Sequence, residues 1–287
     1  MSLAAGTASA AAPLPTLAAT RYVQPLREGG SLPAVVDTED GLFVAKFRGA
    51  GQGPRALIAE LVVGLLARTL GLPVPDLAIL ALSHQFGRNE PDPEIRDVLR
   101  ASAGVNVGLR YLDGAFNYDD HAAGTLVSPD LAARIVWLDA FLTNPDRTAR
   151  NPNLLIWERR PWLIDHGSAL YFHHSWQSVT PERARSPFPL IREHVLLERA
   201  GDIAAADHSL AGRLHDSALA WTLGAVPDAL LMDPLARGAF VSADQARDAY
   251  RRYLVERLRE PRVFVEETIR ASEQRRIEPR RPLGTRR

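Results

Sequence analysis

Between Asn144 and Leu170 the chain gathers Asp146, Asn151, Asn153 and Asp165 around two short apolar runs. The runs are Leu154–Trp157 and Pro161–Ile164. Separated by Glu158-Arg159-Arg160, they predict an antiparallel hairpin. Asp146 and the asparagines precede its first strand and Asp165 follows its second, so all four fall at one end. Amide and carboxylate oxygens are hard donors that suit magnesium, and a carboxylate left over can take a proton from a hydroxyl. Such a set suits phosphate chemistry.

A nucleoside triphosphate also needs a cation for its α and β phosphates. The chain has 34 basic residues, of which Lys46 is the only lysine. A compact ammonium at that position does what a broad guanidinium fork cannot. Alternation along Leu42–Phe47 puts Leu42, Val44 and Lys46 on one face, and an ammonium beside apolar groups wants an anion. Glu60 can supply it from the largely apolar face of the next helix. Singly, each residue has a plain structural reading: a surface lysine, a half-exposed glutamate, and turn-forming Asp146, Asn151 and Asp165. Their order and spacing together argue for chemistry.

Several elements must position these groups. Residues 21–47 read as three short strands with turns at Glu28–Ser31 and Asp37–Gly41. A helix opens at Pro54 and runs to about Leu70, with Gly71 as its stop. A strand over Leu77–Leu82, a loop at 84–93, a short helix over Glu94–Ala103 and a strand over Val105–Leu112 follow. Asp113-Gly114 breaks the pattern, and Tyr118–His121 shows none. An apolar helix over Pro129–Leu142 leads into Asn144. Beyond Leu170 helices are expected near 189–199, 202–223 and 242–273. The fold class is α+β: a disordered tail over 1–20, a small strand-rich lobe with one main helix over 21–112, a larger mostly helical lobe over 113–273, and a basic tail over 274–287, with a cleft between the lobes.

Composition narrows the partners. With 287 residues the chain can bury a sizeable core. Its zero net charge gives no global electrostatic case for nucleic acid or an acidic membrane. The absence of cysteine removes disulfides, thiolate metal sites and cysteine nucleophiles, and fits a cytoplasmic protein. No apolar run approaches the ~18–20 residues of a membrane span, and the opening residues lack the charge and apolar segment of a signal peptide.

The order Lys46, Glu60, Asp146–Asn151, Asp165-His166-Gly167 resembles the protein-kinase-like superfold, and within it the HipA-like kinases, with phosphatidylinositol kinases more distant. Asn144 to Leu155 and Leu163 to Gly167 are similar to that family's catalytic and metal-binding loops. Ala59-Glu60-Leu61 through Gly71–Pro75 is similar to its first-lobe helix and exit. The resemblance spans about 25–225 and implies a two-lobed kinase that binds ATP and Mg2+ in the cleft and transfers the γ-phosphate to a hydroxyl, first of all protein Ser/Thr. It implies Lys46 on phosphate, Glu60 positioning it, Asp146 as base, and Asn151 and Asp165 on metal, with Asn153 a rival ligand. It further implies an adenine hinge at Tyr111, Leu112 and Asp113, and a phosphate cover at Gly29, Gly30 and Ser31, with Gly49–Gly53 a second candidate. Three features depart from ordinary protein kinases: Pro145 precedes the aspartate and Arg147 follows it, where an arginine ordinarily precedes it; His166 replaces the usual Phe; and there is no G-x-G-x-x-G.

Other readings are a nucleotide-binding pseudokinase, an interaction module using Val179–Phe188 and the arginine tail, and a metal-dependent hydrolase built on Asp165, His166, His173 and His174. Ser175, Ser178, Thr180 and Ser186 stand where an activation segment would be phosphorylated.

Overall fold

The computed structural model describes residues 14–26, 32–238 and 240–278. Its N-terminal part is a closed five-stranded barrel in the order β1-β2-β3-β5-β4. The strands are β1 (Thr16–Pro25), β2 (Ala34–Thr38), β3 (Gly41–Lys46), β4 (Leu77–Leu82) and β5 (Gly104–Arg110). β1 closes the barrel by pairing parallel to β4, Thr16 against Ile79. Residues 16–20, expected in a tail, are therefore strand. Thr16, Leu17 and Ala18 pair with β4, far along the chain, and Ala19 pairs with Thr38 of β2.

Pairing puts Ala34, Ala45, Gly108 and Ala78 in one row across four strands. A barrel this narrow has room only for small side chains there, and a Cβ on Gly108 would lie 2.8 Å from Leu80 Cδ1. Phe43 and Ala45 face inward with Val36, Phe47, Leu80 and Leu82. The alternate residues Leu42, Val44 and Lys46 face out, as strand alternation predicts.

Helix α1 (Gly53–Thr69) starts with Pro54 in its first turn and ends before Gly71, whose φ is +72°. Sequence predicts an apolar face; the structure buries nearly every residue from Pro54 to Ala67. A helix apolar all round must be enclosed. On one side Gly64 abuts Leu77 of β4. On the other α1 belongs to the large core formed with the C-terminal helices. Arg134 and Arg213 donate to the Leu70 carbonyl at 2.6 and 2.9 Å, satisfying the end of the helix from that second body.

The remainder is mainly helical. Helix α2 (Pro93–Ala101) lies between β4 and β5. Strand β6 (Phe116–Asn117), helix α3 (Asp120–Ala123) and helix α4 (Pro129–Phe141) follow, the first two in the stretch that shows no sequence pattern. The hairpin β7 (Leu154–Trp157) and β8 (Arg160–Leu163) forms as expected, and β6 pairs with β7. Its two-residue turn places Glu158 and Arg159 at φ of +48° and +59°, the sense that matches strand twist.

Next come α5 (Pro181–Ala184), α6 (Ile203–Leu210), α7 (Asp216–Gly224), α8 (Asp228–Leu231), α9 (Ala243–Leu258) and α10 (Val263–Ile277). The helix expected at 189–199 is only a 3-10 turn over Pro189–Glu193. The one expected at 202–223 is split where His215 caps α7, and the one at 242–273 is split ahead of Val263, after Pro261. Helix α10 continues to Ile277, so the basic tail begins later than position 274. Among the described residues no helix is long and apolar enough to cross a membrane.

Candidate active site

The apolar Leu42–Lys46 strand and the enclosed α1 bring two residues from distant turns to one point. Lys46 Nζ donates to Glu60 Oε1 and, at 2.5 Å, to Asp165 Oδ1, which lies 119 positions along the chain. The Lys46 and Glu60 side chains are 9% and 0% exposed, and that of Asp165 is 34% exposed. Burial works against the Lys46 charge, but Glu60 and Asp165 outweigh it and raise its pKa. For Asp165 burial is likewise opposed by Lys46, and the carboxyl is held below its ordinary value. One ammonium thus serves two carboxylates. The deficit falls on Glu60, whose burial pushes its pKa up despite Lys46 and whose Oε2 has no partner.

Gly167 explains how α1 approaches so closely. A Cβ there would sit 3.2 Å from Gln52 Oε1 and 3.3 Å from Ala56 Cβ. That contact is tighter than side chains accept without the helix yielding.

In the loop ahead of the hairpin, Asp146 accepts from Asn151 Nδ2 at 3.0 Å, Asn153 Nδ2 at 3.3 Å and Ser168 Oγ at 3.4 Å. All three donors reach the same oxygen, Oδ2, which leaves Oδ1 for an incoming proton. An amide that gives its Nδ2 to a carboxylate turns its Oδ1 elsewhere, so Asn151, which is exposed, keeps a hard oxygen for a cation. Asn153 is buried at φ +48°, and its carbonyl accepts from Ile164 N at 3.1 Å. It closes the hairpin, which favours Asn151 over Asn153 as ligand. Asp165 also has a positive φ, +53°. Asp and Asn tolerate that region better than most residues.

Behind both loops lies a buried polar cluster that sequence reading missed. Arg147, 1% exposed, donates through Nε to Asp139 Oδ2 at 2.6 Å and through Nη1 to the Asn153 carbonyl. Its Nη2 meets His166 Nδ1 at 3.2 Å. Asp139 also accepts from Asn144 Nδ2 at 2.8 Å and His194 Nε2 at 2.9 Å. Leu196 N donates to His194 Nδ1, which fixes the tautomer that gives its Nε2 proton to Asp139. Burial would raise the Asp139 pKa, but Arg147 and His194 hold it far below the carboxylate range. Burial and Arg147 push His166 down to about 3, so it is neutral and accepts from Arg147. Asp139 was the available signal: it is the one charge in the apolar run Ile135–Leu142.

At the linker after β5, Tyr111 N is spent on Leu42 O, the Leu112 carbonyl accepts from Ala115 N, and the Asp113 carbonyl accepts from Trp157 Nε1. Among the described residues the Tyr111 carbonyl and Asp113 amide keep their capacity. Gly29, Gly30 and Ser31 lie outside the described residues. In the second candidate cradle, the Gly49 amide donates to Ser102 Oγ and the Gly53 amide to Ala50 O, so much of its donor capacity is used.

The hydrolase alternative gains no support. His166 Nδ1 is held by Arg147 and His173 Nδ1 by Tyr250, and among the described residues no three His, Cys, Asp or Glu are grouped to hold a metal. Of the hydroxyls in the candidate activation segment, Ser178 donates to Ser175 O, Thr180 caps α5 and Ser186 donates to Glu182 O. Within Val179–Phe188 the side chains of Ala184 and Phe188 are core residues, while most of the others are exposed. The tail arginines from 280 onward lie outside the described residues.

Three comparisons bear on this geometry. The sequence pattern of the HipA-like kinases matches residues 20–182, more than half of the chain. No curated protein matches. Among solved structures, the fold is similar to that of a Helicobacter pylori proinflammatory kinase, CtkA. The TM-score is 0.53 at 12% identity, over 91% of this chain and 99% of that one.

Proposed function

Since the chain belongs to the HipA-like kinase family, we propose that it transfers the γ-phosphate of ATP, with magnesium, to a hydroxyl of a protein serine or threonine. The observation that carries this reading is Lys46, bridging Glu60 and Asp165 opposite the Asp146–Asn151 pair. The barrel with α1 acts as the smaller lobe over the nucleotide, and the helical part as the larger lobe beneath it.

In this reading the Tyr111 carbonyl and Asp113 amide present an acceptor and a donor two residues apart to the adenine edge. Lys46 takes phosphate oxygens while Glu60 holds the ammonium in place. Asn151 and Asp165 hold magnesium, which supplies charge neutralisation of the phosphates when bound. Two hard oxygen donors fit that ion, because magnesium at such sites completes its shell with water and substrate phosphate. The acceptor oxygen forms a bond to the γ-phosphorus as the bond to the β–γ bridging oxygen breaks. ADP departs with the electron pair, and the hydroxyl proton goes to Asp146 Oδ1.

A thermal shift by ATP and magnesium that disappears in Lys46→Ala supports the nucleotide site, and its persistence in that variant contradicts it. Binding without transfer would leave the pseudokinase.

A further inference from the structure

Arg147 has no part in the step above, yet it is buried and its guanidinium bonds residues of both the Asp146–Asn153 loop and the Asp165 loop. We propose that Arg147 is a positioning residue: its guanidinium, held by Asp139, fixes the separation of the two metal-binding side chains, Asn151 and Asp165. This rests on the reading of those two residues as magnesium ligands.

The acceptors of one guanidinium flank both ligands in sequence. Nη1 reaches the carbonyl of Asn153, two residues after Asn151, and at 3.4 Å the carbonyl of Ile164, immediately before Asp165. Nη2 meets the ring of His166, immediately after Asp165. The catalytic loop and the metal loop are thus tied to a single planar group. Nε is fixed in turn on Asp139, whose other oxygen takes Asn144 and whose shared oxygen takes His194. Asp139 itself sits in the fully buried wall of α4.

A planar fork with several fixed N–H directions can define a distance between two loops. A lysine ammonium cannot, since its three donors rotate about one point. Magnesium is the ion most sensitive to such an arrangement, because it demands near-ideal octahedral geometry. Groups that orient metal ligands from behind typically change metal affinity 10–100-fold when removed. Lys46 donates to Glu60 and Asp165, and among the described residues it makes no hydrogen bond to Arg147 or Asp139, so nucleotide binding and metal binding are measured separately.

Arg147→Lys and Asp139→Asn test the idea. The second keeps the shape of the side chain, removes its charge and replaces one of its two accepting oxygens with a donor NH2. Each purified full-length variant is titrated with Mn2+ in the presence of ADP by electron paramagnetic resonance. Thermal shifts with ADP are then compared in EDTA and in magnesium. The expected result is Mn2+ binding weakened about tenfold or more, with the metal-free ADP shift retained. In the transfer assay, half-saturating magnesium moves upward while the nucleotide KM changes little.

Folded variants with wild-type Mn2+ affinity overturn the proposal. So does an equal loss of metal-free nucleotide binding and metal binding, the mark of a merely structural role. Asp165→Asn separates the two levels of inference. If it leaves Mn2+ binding intact, the ligand assignment fails; if it abolishes binding while the Arg147 and Asp139 variants do not, only the clamp fails.

Discussion

Replacing Lys46 with methionine removes the ammonium and leaves Glu60 wholly buried with no cation bonded to it. A lone buried carboxylate does not stay charged when taking a proton costs less. The destabilisation is therefore capped by the cost of keeping Glu60 protonated. From an ordinary value of 4.5, that cap is about 4 kcal/mol at pH 7.5 and about 1.4 kcal/mol at pH 5.5. The sign follows from the direction of the shift. A carboxyl whose folded pKa is raised favours the native state at low pH and loses that contribution as pH rises. Urea unfolding of wild type, Lys46→Met and Lys46→Met/Glu60→Gln at the two pH values measures this. The gap between wild type and the single variant should narrow by up to about 2.7 kcal/mol on going to pH 5.5. The double variant should recover stability at pH 7.5, because its amide carries no charge to bury. A gap that is the same at both pH values, together with a Glu60→Gln change that adds its own loss, would refute the triad as described.

Two other outcomes are expected. Gly167→Ala places a methyl 3.2–3.3 Å from Gln52 and Ala56, so α1 must shift; a loss of about 1–3 kcal/mol in unfolding free energy, with weaker nucleotide binding, is predicted, and unchanged values would show that the close approach is not needed. His173 is buried against Tyr250, and burial, with His174 and Arg55 nearby, holds its pKa well below 6.5. A histidine kept neutral in the fold costs stability as pH falls below its unfolded value, so between pH 8 and pH 5 wild type should lose about 2 kcal/mol more than His173→Asn. Parallel stability curves for the two would contradict that burial.

Much of the site was legible because its residues break local expectation. Lys46 is the sole lysine, Glu60 is a charge on an apolar helix, and Asp146, Asn151 and Asp165 bracket a hairpin whose two apolar runs formed as read. The strands β3, β4 and β5 and helix α4 carried strong apolar patterns and fell within a residue or two of their expected bounds. Other elements depend on partners far along the chain. β1 from Thr16 is Ala- and Thr-rich and becomes strand by pairing with β4. The complete burial of α1 comes from a second body that its own periodicity does not encode. Two helices expected beyond residue 200 are each divided, because His215 caps the start of α7 and Pro261 precedes α10. Arg147 stands out in the sequence only as the residue that follows Asp146; the placement of Asp139, Asn144 and His194 gives it a reason to be buried.

The most direct test is phosphate transfer itself. Purified protein incubated with γ-labelled ATP and magnesium, with candidate protein acceptors, should place label on a hydroxyl. Asp146→Ala should lower that rate about 10²–10⁴-fold, the usual contribution of a general base, while the thermal shift with ATP and magnesium persists. Transfer that is undiminished in Asp146→Ala would contradict the assignment of this carboxylate and of the site built around it.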